Sequence, residues 1–304
     1  MKKIKLSSKV RNIILILFIT GILIMVFVFR DLMSQDAVIV ALLIVSLLLG
    51  NLSLFLKDWV PTLLFYFVYE FARGHLSTIQ NLLHISVNME ILYQADKLMF
   101  GANIPVLIAQ KLIQPNVTII DYVSFVWYTS FFWFPILTGF LFWIKDREFF
   151  KIFRNAYIIL CFMALVTFMF FPAAPPWMAS QHGILPPLNT DTWGRLYVGG
   201  VTLGLFSTVG TNPVAPFPSL HIGWSVLSAY MLQQYFKKKI KGFSYLFYLY
   251  PLIMCFVVTY TSDHYVIDMI GGAVYAAVAV FIAKNMWTWI SKIKQIRKIA
   301  VAKE

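Results

Sequence analysis

Charge is what this chain has least of. Only 12% of its 304 residues are Asp, Glu, Lys or Arg, against 60% hydrophobic ones, and the mean hydropathy is +0.76. An ordinary soluble domain carries about 25% charged residues, so that class is excluded. Acid is scarcer than base, with 13 Asp and Glu against 25 Lys and Arg. Cysteine is nearly absent: Cys161 and Cys255 both fall inside apolar runs, where they read as small packing residues rather than a disulfide framework. There is no Cys-x-x-Cys and no His-Glu-x-x-His, the spacings that would point to zinc. Internal repeats and low-complexity linkers are missing too.

What is present is a series of apolar runs, and runs of about 17–25 such residues read as bilayer-spanning helices. Eight candidates lie at about 12–29, 37–56, 59–72, 120–144, 152–171, 218–236, 243–261 and 265–290. The third is short, bounded by Trp59-Val60-Pro61 and by Tyr69-Glu70-Phe71-Ala72-Arg73-Gly74, and reads as a span that stops at a polar site. The first is long and has no small-residue cleavage site, so it reads as a retained span rather than a cleaved signal. With the N-terminus inside, 19 of the 25 Lys and Arg residues fall in inner segments. This is the positive-inside asymmetry. The net charge of +12 therefore speaks for anionic inner-leaflet lipid rather than for nucleic acid. The expected layout is an N-terminal two-span addition at 1–58, a core at 59–291 and a basic cytoplasmic tail at 292–304, in the plasma membrane with both termini cytoplasmic.

Two outer segments are long. Residues 73–119 have apolar residues at helical spacing around a few charges, which suits short interfacial helices. Residues 172–217 run from Pro172-Ala173-Ala174-Pro175-Pro176-Trp177 to Pro213-Val214-Ala215-Pro216-Phe217-Pro218, a stiff path that reads as a lid or wall.

The chemistry sits in Pro218-Ser219-Leu220-His221 and His264-Tyr265-Val266-Ile267-Asp268. Ionisable groups at a membrane edge are costly enough that function is their default reading. The i, i+4 spacing of His264 and Asp268 predicts one helix face, with Ser262 or Asp263 as N-cap. A carboxylate on one ring nitrogen sets the tautomer and raises the basicity of the other, which makes His264 a nucleophile. His221 is expected in the first turn of its helix, where N–H groups and the dipole favour an anion. There it can act as a general acid, with Ser219 adding a hydroxyl. Arg73 is one of five basic outer residues, and a guanidinium binds two phosphate oxygens at once. Lys97, Lys111 and Arg195 are weaker candidates. Nucleophile, acid and cation are the parts phosphoryl transfer requires. Zinc held by two His and an Asp is the competing use of the same residues.

These motifs resemble the second and third motifs of the type 2 phosphatidic acid phosphatase superfamily. Gly-Trp after Pro-Ser-Leu-His, Gly-Gly after His-Tyr-x-x-Asp, and Ala-Pro-Pro-Trp-Met look like the branch containing inositol phosphorylceramide synthase. The resemblance covers about residues 59–290. It implies a six-helix core, outward-facing chemistry and a phosphohistidine intermediate, with His264 as nucleophile, Asp268 as its orienter, His221 as proton donor and Ser219 on phosphate. The sequence departs from the usual pattern at Val257 and Val258, where Ser-Arg is usual, at Tyr66 and Gly74 around the first motif, and at Leu220.

The expectation is thus an all-α polytopic membrane protein of about eight spans. It would act without metal or cofactor on a lipid phosphate, lipid pyrophosphate or phospholipid headgroup at the outer leaflet. A non-catalytic lipid transporter or scaffold that retains the fold is the alternative.

Overall fold

The computed structural model describes residues 35–113, 116, 118–189 and 212–301, with the single positions 13 and 20. The expected first span, Arg30, Arg195 and the basic N-terminus lie outside the described residues. The chain is all-α: α1 (Gln35–Leu48), α2 (Leu52–Leu82), α3 (Ile91–Phe100), α4 (Pro105–Gln110), α5 (Ile119–Lys145), α6 (Arg147–Phe170), α7 (Pro176–Gln181), α8 (Leu220–Ile240), a 3-10 turn (Lys241–Tyr248), α9 (Leu249–Tyr260) and α10 (Val266–Val301). Five helical stretches among the described residues are long and apolar enough to cross a bilayer. The longest, Leu220–Tyr260, is a hairpin: Lys241 takes a positive φ of 46°, and the 3-10 turn and α9 pack back along α8.

Local chemistry explains the helix ends. A capping box opens α5, where Thr118 N–H donates to the Asp121 carboxylate at 2.7 Å while the Thr118 side chain takes the N3 backbone N–H. Asp146 caps α6 by accepting from Phe149 N–H at 3.0 Å. Two expected boundaries are corrected. The break between the second and third spans falls at residues 49–51, not near 57, and Pro61 lies inside α2 instead of starting it. Arg73 likewise does not end a span, because α2 continues to Leu82. Proline inside an apolar helix is tolerated where neighbouring helices surround the freed backbone.

Asp58 joins α2 to the α5–α6 corner. Its buried carboxylate accepts from Arg147 Nε at 2.6 Å, from Arg147 Nη2 at 2.7 Å and from Trp143 Nε1 at 3.0 Å. Removing one member of a buried pair strands the other. Since the Arg147 side chain keeps 36% of its exposure, Arg147→Ala is expected to destabilise by only about 1–3 kcal/mol, after discounting for screening. Asp58→Asn with Arg147→Ala should recover part of that loss in detergent thermal unfolding.

Around this clamp the main core is aromatic: Phe55, Trp59, Phe140, Trp143 and Phe150 interlock face and edge. A second, smaller core lies at the other end of the bundle. It joins Leu92, Ile104, Val106, Ala173, Ala174, Ala179, Leu185 and Tyr265, so the interfacial helices α3 and α4 and the Pro-rich segment form a cap over the starts of α8 and α10. Backbone bonds fasten the cap: Asn88 N–H donates to Pro172 O at 2.9 Å, Ala174 N–H to Asn88 O at 3.0 Å, and Ala173 N–H to Val214 O at 3.0 Å. For residues 172–177 the expected lid or wall is a wall.

Helices α8 and α10 approach almost backbone to backbone. A Cβ on Gly272 would lie 2.1 Å from the Ser219 carbonyl oxygen, and one on Gly271 would lie 2.6 Å from the Phe217 ring. Ser219 N–H donates to Asp268 O at 2.9 Å across the same contact. Only glycine permits this approach.

Candidate active site

That contact brings the two sequence motifs together. His221 Nδ1 and His264 Nε2 are 3.0 Å apart, and the rings meet edge to face. His264 is buried, and Asp268 is wholly so. Behind His264, Asp268 Oδ2 stands 3.4 Å from Nδ1, longer than the usual hydrogen bond. The same oxygen accepts from Tyr265 N–H at 2.9 Å. Asp268 therefore anchors the turn that carries the imidazole as well as facing its ring.

The expected one-face helical pair is corrected here. Helix α10 begins at Val266, so His264 lies in the turn before it. That turn is held from several sides. Asp263 and His264 N–H groups both donate to Val258 O, at 3.0 and 3.2 Å. Ser262 takes a left-handed φ of 64°. Its hydroxyl accepts from Gln110 Nε2 at 2.8 Å, and its carbonyl from Trp177 N–H at 3.1 Å. The buried Val258 thus supplies its carbonyl to the turn.

Ser262 and Asp263 do not cap α10, as the spacing had suggested. The cap comes from 170 residues away: Asp96 on α3, only 1% exposed, accepts from Val266 and Ile267 N–H at 3.0 Å each. Sequence reasoning missed this residue. A lone acid in an amphipathic stretch was visible, but nothing local names its partner. Burial, only partly offset by the two N–H donors, holds the Asp96 carboxyl above the ordinary carboxylate range, with Asp268 adding to the rise.

A raised folded pKa means that the folded state takes up the proton more readily. Stability then falls as pH rises from the ordinary carboxylate value through the folded one. Asp96→Ala should cost about 1 kcal/mol, the usual value of a lost cap, while Asp96→Asn, which keeps an acceptor, should cost less. Thermal unfolding from about pH 4 to pH 8 should show wild type losing ground to Asp96→Asn as pH rises.

His221, half-buried, stands in the first turn of α8, and Tyr128 and Phe131 of α5 pack on its ring at 4.8 and 4.1 Å. Ser219 is the N-cap, fully buried, with its hydroxyl 3.4 Å from Ile222 N–H. Its side chain therefore faces the helix start. Arg73 lies within electrostatic reach of His221 and Tyr128 and forks onto Glu70 Oε2 at 3.1 and 2.7 Å. Asp263, half-buried, accepts from the Thr261 hydroxyl and from Tyr128. Burial raises its pKa, with its two hydrogen bonds and His264 opposing. Lys97 lies over Tyr93 at 5.8 Å, and Lys111 ends α4. Neither is among the partners of the two histidines.

Fold and site define a polytopic membrane protein of the PAP2 superfamily. The family model matches residues 90–282, and the chain belongs to that family. The match contains His221, His264, Asp268 and Asp96 but begins after Arg73. Among curated proteins, the chain is 31% identical over 39% of its length to the inositol phosphorylceramide synthase catalytic subunit aur1 of Schizosaccharomyces pombe, covering 29% of that protein. It is 25% identical over 62% of its length to the inositol phosphorylceramide synthase of Candida albicans, covering 40% of it. To the phosphoinositol dihydroceramide synthase of Bacteroides thetaiotaomicron it is 27% identical over 60% of its length, covering 62%. The chain thus spans less than two thirds of each of these relatives. No solved structure matches it.

Proposed function

We propose that this protein is a membrane-embedded lipid phosphotransferase that works through a phosphohistidine on His264. The supporting observation is the 3.0 Å contact between His221 Nδ1 and His264 Nε2, with Asp268 behind. With the His264 Nδ1 proton directed at Asp268, Nε2 carries a lone pair toward His221 Nδ1. The negative charge of an arriving phosphate favours the imidazolium form of His221, which can give up its Nδ1 proton and end as a neutral imidazole. A substrate phosphoryl group enters between the rings. His264 Nε2 forms a bond to phosphorus, the bond from phosphorus to the leaving oxygen breaks, and His221 gives that oxygen its proton. In the second step an acceptor hydroxyl returns a proton to His221, its oxygen attacks phosphorus, and the N–P bond opens.

Arg73, steadied by Glu70, and the N-terminal turn of α8 neutralise the phosphoryl oxygens. Ser219 serves them indirectly by shaping that turn. No step draws on a metal. The names of the relatives favour an alcohol acceptor over water, and transfer of a phosphoinositol-type headgroup to a ceramide-type hydroxyl. The basic residues at the opposite end of the bundle favour an extracytoplasmic site by the positive-inside rule. The termini are then cytoplasmic, and the plasma membrane is the expected location.

The test is product analysis with a panel of lipid phosphates and phosphatidylinositol, with and without ceramide. A new headgroup-bearing sphingolipid that forms only when ceramide is present is the expected result. Free phosphate alone, at the same rate with and without ceramide, would replace transferase by hydrolase. No product from any lipid would leave the enzymatic reading without support.

A further inference from the structure

At the end of the bundle away from the histidines, α2, α5 and α6 enclose a groove of about 460 Å³, its open mouth included. Its walls are almost wholly apolar: Trp59, Leu63 and Tyr66 from α2, Ile136 from α5 and Tyr157 from α6. Beside it, α2 presents Val60, Leu64 and Phe67 to the surroundings, each about half exposed. In a helix bundle read as membrane-spanning, such a flank faces acyl chains.

One polar side chain changes the meaning of the groove. Arg154 of α6 lines it and lies in the basic belt with Lys57, Arg147 and Lys151. Arg147 is matched by Asp58 and Lys151 by Glu148. Arg154 lies within electrostatic reach of Asp58 but makes no direct ion pair with it; it donates to a neutral acceptor, Asn155 Oδ1, at 3.2 and 3.1 Å, with its guanidinium 5.9 Å from the Phe150 ring. A guanidinium beside an apolar slot, held by an amide that an anion can replace, is complementary to a phosphate with a hydrocarbon chain attached.

The deep end of the groove is closed off from the histidines. Tyr66 and Tyr157 pack on Trp224, Trp224 stacks on Phe131, and Phe131 packs on His221. A lipid in the groove is therefore separated from the reacting centre by a layer of rings.

We infer that the α2–α5–α6 groove binds one anionic phospholipid, its acyl chain along Leu63, Ile136 and Tyr157 and its phosphate on Arg154. This site is independent of the transfer reaction and needs no turnover to be seen. The test uses the full chain, purified, delipidated and incubated with phosphatidylglycerol or phosphatidylcholine of matched chains, with bound lipid counted by native mass spectrometry. Wild type should retain phosphatidylglycerol about fivefold better, the worth of one cation close to an anionic headgroup. Arg154→Gln should bring the two lipids to parity, and Ile136→Trp, which fills the slot, should remove the tightly held lipid of both kinds. Equal retention by wild type, or an undiminished preference in Arg154→Gln, would overturn the assignment. So would a rise in KM for the lipid substrate in Ile136→Trp with phosphatidylglycerol retention unchanged, because the groove would then hold the substrate's tail. If Ile136→Trp does not fold, the Arg154→Gln comparison decides alone.

Discussion

Turnover should fall by about 10⁴-fold or more when His264 is replaced by asparagine, the scale of loss seen when a catalytic nucleophile is removed. The argument is geometric. His264 is the one imidazole with a carboxylate behind it and a second imidazole in front, so no neighbour can take over the attack on phosphorus. Asparagine keeps a polar group of similar reach in a buried site and should leave the fold intact, which thermal unfolding in detergent checks. His221→Asn should cost less, about 10²–10⁴-fold, because it removes proton transfer but not the nucleophile. The two variants should also differ by chemical trapping. Acid-labile, alkali-stable phosphate on the protein is expected in His221→Asn incubated with an activated substrate that needs no protonated leaving group, and never in His264→Asn. Equal residual turnover by both variants would argue against the phosphohistidine.

The second large effect is expected from Gly272→Ala, which adds one methyl behind the start of α8. Its Cβ would sit 2.1 Å from the Ser219 carbonyl oxygen, and both partners are backbone, so no rotamer change relieves the clash. Overpacking of this kind costs about 1–3 kcal/mol, occasionally more. Part of that relief must come from moving α8 away from α10. Since the α8 start carries His221 and the α10 start carries the His264 turn, the histidines part with the helices, and a misplacement of about 1 Å can cost 10²-fold in rate. Gly272→Ala should therefore lose thermal stability and kcat together. Gly271→Ala meets the Phe217 ring instead, a side chain that can swing, and should lose less of both. If Gly272→Ala kept full activity, the backbone contact would not be what spaces the histidines.

Much of this was visible in the chain because membrane solvation writes long signals. Apolar runs at 120–144 and 152–171 emerged as helices with ends shifted by up to five residues, the run at 265–290 as a helix that continues to Val301, and the segment 73–119 held two short helices as its spacing implied. The histidines and Asp268 stand out in the sequence by motif spacing, and the structure brings the three together. What stayed hidden depends on three-dimensional closure. Asp96 is an ordinary acid until its carboxylate meets Val266 and Ile267 N–H across 170 residues. Ser262 gives no sign in sequence of its left-handed backbone. The periodicity rule placed His264 on a helix face because i, i+4 spacing cannot tell a helix from a turn that leads into one. Pro61 looked like a helix start, as it would in water, but the surrounding bundle carries the helix through it.

The contact between Ser219 and Gly272 has a consequence for how such a protein can diversify. Main chain meeting main chain helps to set the distance between its two facing imidazoles. Residues lining the approach to the histidines can therefore drift, enlarge or change polarity while the two imidazoles keep their separation. A lineage built on this joint is free to alter which molecules it accepts at little risk to the reaction itself, provided that one position stays without a side chain.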